Sequence, residues 1–189
     1  MKSGSGFTYM LFDRAQIFAA LLAFGLLAGG SGSAAAAVHI EGQVLASGAP
    51  LANSTVTLWQ AGSSTPKQLA QAKAGSDGRF EVNSQETPGA DVILYLVSKG
   101  GAAASGSENA ATAMLLVLNN APPPKVVINE PTTVASAFTA ARFIISGESI
   151  SGNPLGLRIA ARNVPNLVDS ATPDGVSIMR QFQLAGEHI

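Results

Sequence analysis

Residues 38–80 contain short runs in which apolar and polar residues alternate, with turn-forming residues between the runs. In the first run Val38, Ile40 and Val44 are apolar and the residues between them are mainly polar, which is the period of a half-buried strand. Asp77-Gly78 is typical of a hairpin turn, because glycine adopts the positive φ that such turns need. The alternation constrains the chain to a β-rich fold and predicts four strands in this stretch.

Three further apolar runs follow, at residues 92–97, 114–118 and 126–128. Pro122-Pro123-Pro124 separates the last two runs, and three prolines cannot continue a strand ladder, so we expect an extended connection there. The low-complexity stretch at 100–109 is typical of a loop. About seven short strands separated by turns predict a mainly β fold, a seven-stranded β-sandwich.

Beyond Asn129 the apolar residues recur at helical spacing, which predicts two C-terminal helices. The first begins near Pro131-Thr132, and the second begins at Asn153-Pro154 and breaks at Pro165. The apolar positions that define the first helix are Val134, Phe138, Ala141 and Ile145.

The run at 92–97 is apolar on both faces, although a two-layer sandwich buries only one face of each sheet. We therefore expect the two C-terminal helices to pack on one sheet, with the first helix across its outer face. This packing would place Phe138 and Phe143 near that sheet.

The N-terminal residues 1–37 are predicted to be a signal peptide. Lys2 and Arg14 precede an apolar stretch, Ala15 to Leu27, and small residues at Ser33 to Ala37 supply the cleavage site. A permanent anchor is the weaker alternative, because the stretch is shorter than the roughly 20 residues that cross a bilayer. The sequence thus predicts a secreted, periplasmic or cell-surface protein without an integral membrane span after cleavage.

Composition excludes several classes of protein. The chain contains no cysteine, which excludes disulfide-rich scaffolds and thiolate metal sites. Its formal net charge is −1, so it has no basic surface for nucleic acid. Because only 12% of the residues are charged, the chain is expected to bury its apolar residues in a core.

Four spaced elements resemble the carboxypeptidase regulatory-like family of transthyretin-like (prealbumin-like) β-sandwiches. They are Gly42-Gln43-Val44, Gly48-Ala49-Pro50-Leu51, Val56-Thr57-Leu58 and Asp77-Gly78-Arg79-Phe80. The resemblance covers about Val38 to Lys99 and implies a non-catalytic accessory, adhesive or ligand-binding module. We predict this module at 38–129 and a helical extension at 130–189.

The segments Asn129 to Phe138 and Leu167 to Thr172 are similar to a region of secreted, uncharacterised bacterial proteins that carry this module. A longer repeat region often follows in such proteins. The resemblance therefore implies a short or truncated member.

Candidate catalytic and metal-binding patterns are weak. His39 and His188 lack the further ligands that a zinc site needs. Ser64-Thr65-Pro66-Lys67 has the Ser-x-x-Lys spacing of penicillin-recognising enzymes but lies in a loop. Residues 147–151 resemble a nucleophile elbow without its final glycine, and we predict a turn between the two helices there. We therefore predict no catalytic residue, cofactor or metal ion.

Trp59 and Tyr95 are the candidate ligand-binding residues, because exposed aromatic rings on a β-sandwich stack on sugars. The predicted function is a non-catalytic structural or protein-interaction module of the cell envelope or extracellular space, with an envelope or extracellular protein as partner. Carbohydrate binding is the alternative, and an enzyme is the least favoured one.

Overall fold

The computed structural model describes residues 38–103 and 106–172. The predicted signal peptide, His188 and two residues of the predicted loop at 100–109 lie outside these ranges. The described residues form a mainly β fold with antiparallel sheets and two helices, which confirms the predicted fold class at this level. In chain order the elements are β1 (Val38–Ala46), β2 (Ala49–Ala52), β3 (Thr55–Ala61), β4 (Lys67–Lys73), β5 (Arg79–Ser84), β6 (Ile93–Lys99), β7 (Ala102–Ala103), β8 (Ala113–Leu118), β9 (Lys125–Ile128), α1 (Glu130–Ala140), β10 (Ile144–Ser146), β11 (Ser149–Ile150) and α2 (Pro154–Asn163).

The predicted count of seven strands is too low for the described part of the chain. A turn at Ser47-Gly48 separates β1 from the short strand β2, which pairs back onto β1. The C-terminal region adds the hairpin of β10 and β11, which lies where the sequence predicted the end of a helix and a turn. Strand β7 lies within the predicted loop at 100–109 and pairs with β2. All four additional strands are only two to four residues long, and strands this short give little periodicity to detect.

Two larger sheets contain most of the strands. One is antiparallel in the order β4-β3-β6-β8, and the other has the order β5-β1-β2-β7, with β9 pairing parallel to β1. The Asp77-Gly78 turn, predicted to close a hairpin, instead connects β4 in the first sheet to β5 in the second. Gly78 has the expected positive φ of 73°.

Buried side chains of both sheets belong to one cluster. Strand β6 lies in the middle of its sheet, and all of its residues except Lys99 are buried. The prediction that both faces of this run are covered is therefore confirmed. Its inner face carries Leu94 and Leu96, which are fully buried.

Helix α1 covers the edge of the first sheet with hydroxyl groups. The backbone N–H groups of Leu115 and Val117, on the edge strand β8, donate to Thr133 Oγ1 at 3.1 Å and Ser136 Oγ at 2.9 Å. A capping box between Asn129 and Thr132 starts the helix. Because an uncovered edge presents unpaired backbone groups, these hydroxyls explain why the polar side of α1 faces inward.

The predicted position of Phe138 near the sheet is wrong. With Thr132 and Ser136 buried, Phe138 lies on the opposite side of α1 and is 75% exposed. The helix also ends at Ala140, so Ile145 belongs to β10. Phe143 does pack against the buried cluster.

Helix α1 packs against β8, whereas α2 and the β10–β11 hairpin cover the outer face of β6. Helix α2 begins as predicted, because Asn153 Oδ1 accepts a hydrogen bond from the backbone of Leu155 at 2.9 Å. It ends at Asn163, and Pro165 lies in the 3-10 turn that follows. Among the residues with a described structure, no helix is long and apolar enough to span a membrane.

Candidate ligand groove and helical face

Trp59 and Tyr95 lie directly opposite each other on β3 and β6. Their rings are stacked, with centroids 6.3 Å apart and an interplanar angle of 13°. Tyr95 is 1% exposed, whereas Trp59 is partly exposed. The two candidate residues are thus adjacent, but only Trp59 presents ring surface to a ligand.

A groove of about 240 Å³ lies beside the Trp59 ring on the outer face of the first sheet. Thr57 and Gln71 form part of its wall and are joined by a 3.1 Å hydrogen bond from the Gln71 amide to the Thr57 hydroxyl. The other lining residues are Gln68, Tyr95, Val97, Lys99, Glu148 and Ser149. The groove therefore combines one aromatic surface with amide, hydroxyl and charged groups.

An ion pair between strand β6 and the β10–β11 hairpin forms one side of the groove. Lys99 Nζ lies 2.9 Å from Glu148 Oε1, and this bond lowers the pKa of Glu148. Burial raises the pKa of the Tyr95 hydroxyl, and a hydrogen bond to the backbone of Ile150 partly opposes that rise. The hairpin is therefore attached over β6 at two positions.

The Lys99–Glu148 attachment is expected to break in acid. A lowered pKa in the folded state means that the ionised carboxylate stabilises the fold above the ordinary pKa of 4.5, and this contribution is lost as the pH falls through the lowered value. Trp59, the single tryptophan of the chain, lies in the same groove. We expect its fluorescence to change below pH 4.5.

The variant Glu148→Gln should lack this acid transition. Glu86→Gln is the matched control, because it removes an ion pair with Lys67 that does not line the groove. A transition that is unchanged in Glu148→Gln would show that another group causes it.

The sequence did not identify Lys99 and Glu148 as groove residues. They are distant in the chain, and the hairpin that carries Glu148 was predicted as a turn between helices. A weak signal was present, since Gly147-Glu148 is flanked by Ile144-Ile145 and Ile150, a pattern compatible with a tight hairpin.

A second surface, here called the helical face, consists of exposed apolar side chains on α1, on α2 and just beyond α2. Its members are Val134, Phe138, Leu155, Ile159 and Leu167. A groove of about 470 Å³ lies between the helices, and the helical-face residues Phe138, Ile159 and Leu167 line it together with Gly156 and Ala160. Phe143 fills the space beside Gly156, where an added methyl group would lie 2.5 Å from its ring.

The weak catalytic and metal patterns have other roles in the structure. His39 is a surface residue whose Nδ1 lies 2.7 Å from Asn83 Oδ1, and this hydrogen bond, aided by Glu41 and Glu81, raises its pKa. Lys67 pairs with Glu86 at 2.6 Å. No cluster of three or more potential His, Cys, Asp or Glu metal ligands occurs in residues 38–103 and 106–172.

Comparison with known proteins gives little further information. No protein-family model matches the chain, and no curated protein matches it. A solved structure of a 9R-lipoxygenase from Cyanothece PCC8801 is similar at 14% identity and a TM-score of 0.30, over 69% of this chain and 25% of the lipoxygenase. The chain thus spans about a quarter of that protein, and a TM-score this low supports no inference about fold or activity.

Proposed function

We propose that the protein is a non-catalytic, exported interaction module of the cell envelope or extracellular space, built as a prealbumin-like β-sandwich of the carboxypeptidase regulatory-like kind. Two larger sheets, one antiparallel and one with the parallel strand β9, share a buried cluster, and this supports the sandwich. Leu51 and Phe80, which belong to the family-like elements, are both buried. The export signal is the sequence pattern at residues 1–37.

The helical face is the observation that carries the interaction role. Phe138 is 75% exposed and Val134 is 67% exposed on α1, and Leu155 and Ile159 on α2 are more than half exposed. Neighbouring apolar side chains that remain in solvent mark interaction surfaces. A protein that presents them binds another surface with this side.

A photo-crosslinker at position 138 tests the interaction role. The protein is expressed in its host with p-benzoylphenylalanine in place of Phe138, and the cells are irradiated. The crosslinked adducts are then identified by mass spectrometry. We expect a defined protein adduct from position 138 and none from the exposed Asn83, which lies on β5. Equal labelling from both positions, or no adduct at all, would contradict the proposal.

Carbohydrate binding at the Trp59 groove is the second candidate. It is favoured by the arrangement of one partly exposed indole beside Thr57, Gln68 and Gln71, because sugar recognition combines stacking with hydrogen bonds from amides and hydroxyls. Tyr95 supports the indole from its buried position. The two candidates use separate surfaces.

A glycan array followed by calorimetry tests this second candidate. If a glycan binds, Trp59→Ala should weaken binding at least tenfold, which corresponds to about 1.4 kcal/mol. The exposed Gln85, outside the groove, provides the control variant Gln85→Ala with unchanged affinity. Glycan binding that survives Trp59→Ala would place the site elsewhere.

A further inference from the structure

The outward side of α1 is apolar along the whole length of the helix and charged only at its two ends. Thr132, Ala135, Ser136 and Ala140 are buried, so the opposite side faces solvent. That side contains the exposed residues Pro131, Val134, Phe138 and Ala141, counting the cap residue, and the partly exposed Ala137. Glu130 is the first helical residue, and its carboxylate accepts a hydrogen bond from the Ser47 backbone N–H at 2.7 Å. Arg142 follows the cap residue, and both residues are exposed.

These residues are arranged symmetrically about position 136. Val134 and Phe138 lie two residues on either side of it, and Glu130 and Arg142 lie six residues on either side. If two copies of α1 pack antiparallel about a twofold axis at this level, Val134 meets the partner's Phe138. In the same register Glu130 meets the partner's Arg142, so that both ends of the helix pair are complementary in charge.

The exposed apolar area fits an interface between two copies. From their exposed fractions, the side chains of the helical face present on the order of 500 Å² of apolar surface per copy, against roughly 800 Å² per partner in a standard stable interface. The apolar fraction of the interface area would then be about 60%, which is close to the value usual for homodimers. Polar residues at the rim would supply the rest of the interface area.

We propose that the protein forms a twofold symmetric homodimer through its helical faces, with α1 antiparallel to α1 of the second copy. The proposal rests on the interaction role of the helical face proposed above and names its partner as the same chain. The small side chains of Ala137 and Ala141 allow the two helices to approach closely. Leu155 and Ile159 of α2 extend the contact on both sides.

Sedimentation velocity of the chain from Val38 onward tests the proposal. We expect twice the monomer mass at tens of micromolar protein and a monomer for Phe138→Asp, with the circular dichroism spectrum unchanged. Ile145→Asp is the matched control, because Ile145 is 66% exposed but lies on β10, outside the helical face. A monomeric wild-type protein at 100 µM, or a dimer that survives Phe138→Asp, would overturn the proposal.

Charge variants test the antiparallel register. Arg142→Glu should weaken the dimer about tenfold, because two carboxylates then face each other at each end. The double variant Glu130→Lys and Arg142→Glu should recover most of the lost affinity. If the double variant dimerises as weakly as Arg142→Glu alone, the proposed antiparallel register is wrong.

Single cysteines provide an independent measurement, since the chain has none. Two copies of Ala137→Cys lie near the proposed axis and should be joined by a short bis-maleimide. Two copies of Ala141→Cys should not be joined, because they are displaced by roughly 15 Å along the helices. The reverse result would overturn the antiparallel arrangement.

The experiments distinguish failure of the homodimer proposal from failure of the proposed interaction role. A monomer that still gives a specific heterologous adduct from position 138 removes the homodimer and keeps the interaction role. A monomer that binds phosphatidylcholine–phosphatidylglycerol vesicles through Phe138 also removes the homodimer. A homodimer with no other adduct from position 138 supports this inference.

Discussion

A chain that ends at Asn129 is expected to lose its native fold and to aggregate. The removed region covers the outer face of β6 and β8, where Tyr95, Leu115 and Val117 are buried. Exposing such side chains costs about 1.5–3 kcal/mol each, and a domain has only about 5–15 kcal/mol of stability in total. The N–H groups of Leu115 and Val117 also lose their hydroxyl acceptors.

Size-exclusion chromatography and binding of a hydrophobic dye measure this result. Residues 38–129 should elute as aggregates and bind the dye. The control ends at Thr172, where the described residues end, and should remain folded. If residues 38–129 form a stable soluble monomer instead, the C-terminal elements are an independent appendage and do not cover the sheet.

Gly42→Ala is expected to destabilise the fold by about 3 kcal/mol, the upper end for overpacking a core. A methyl group on Gly42 would lie 2.6 Å from Phe80 Cε1 and 2.7 Å from the backbone oxygen of Val126. The ring can move, but the carbonyl belongs to β9, which pairs with β1 at this position. The clash with this carbonyl can therefore be relieved only if β9 moves away from β1.

Urea unfolding followed by circular dichroism measures the change. Gly89→Ala is the control, because an added methyl group at Gly89 would have no atom within 4 Å. We expect the control to remain within about 0.5 kcal/mol of the wild type. Equal stability of Gly42→Ala and wild type would mean that β1 and β9 separate easily.

The sequence predicted the longer strands well, because alternation along residues 38–44 and the uniform apolar character of 92–97 are strong signals. The start of α2 was predicted from Asn153-Pro154 for a local reason, since a cap involves only neighbouring residues. The sequence did not predict that β5 pairs with β1 in the second sheet. Asp77-Gly78 specifies a turn, but pairing with β1 in a different sheet depends on distant residues.

The candidate groove was only partly predictable. Trp59 and Tyr95 were identified from residue type, but their stacking follows from the register of β3 and β6. Lys99 and Glu148 meet only because a hairpin folds back over the sheet. The side that α1 exposes was predicted incorrectly, because periodicity alone assigns the apolar side to the core.

The orientation of α1 has a consequence for protein redesign and for sequence searching. A method that scores buried positions by hydrophobicity would replace Thr133 and Ser136 with leucine or valine. Such a sequence would look better packed, yet it would leave two backbone donors of β8 without acceptors. A search pattern for this arrangement should instead require hydroxyl residues at positions i and i+3 of a helix that is separated from the edge strand by one further strand.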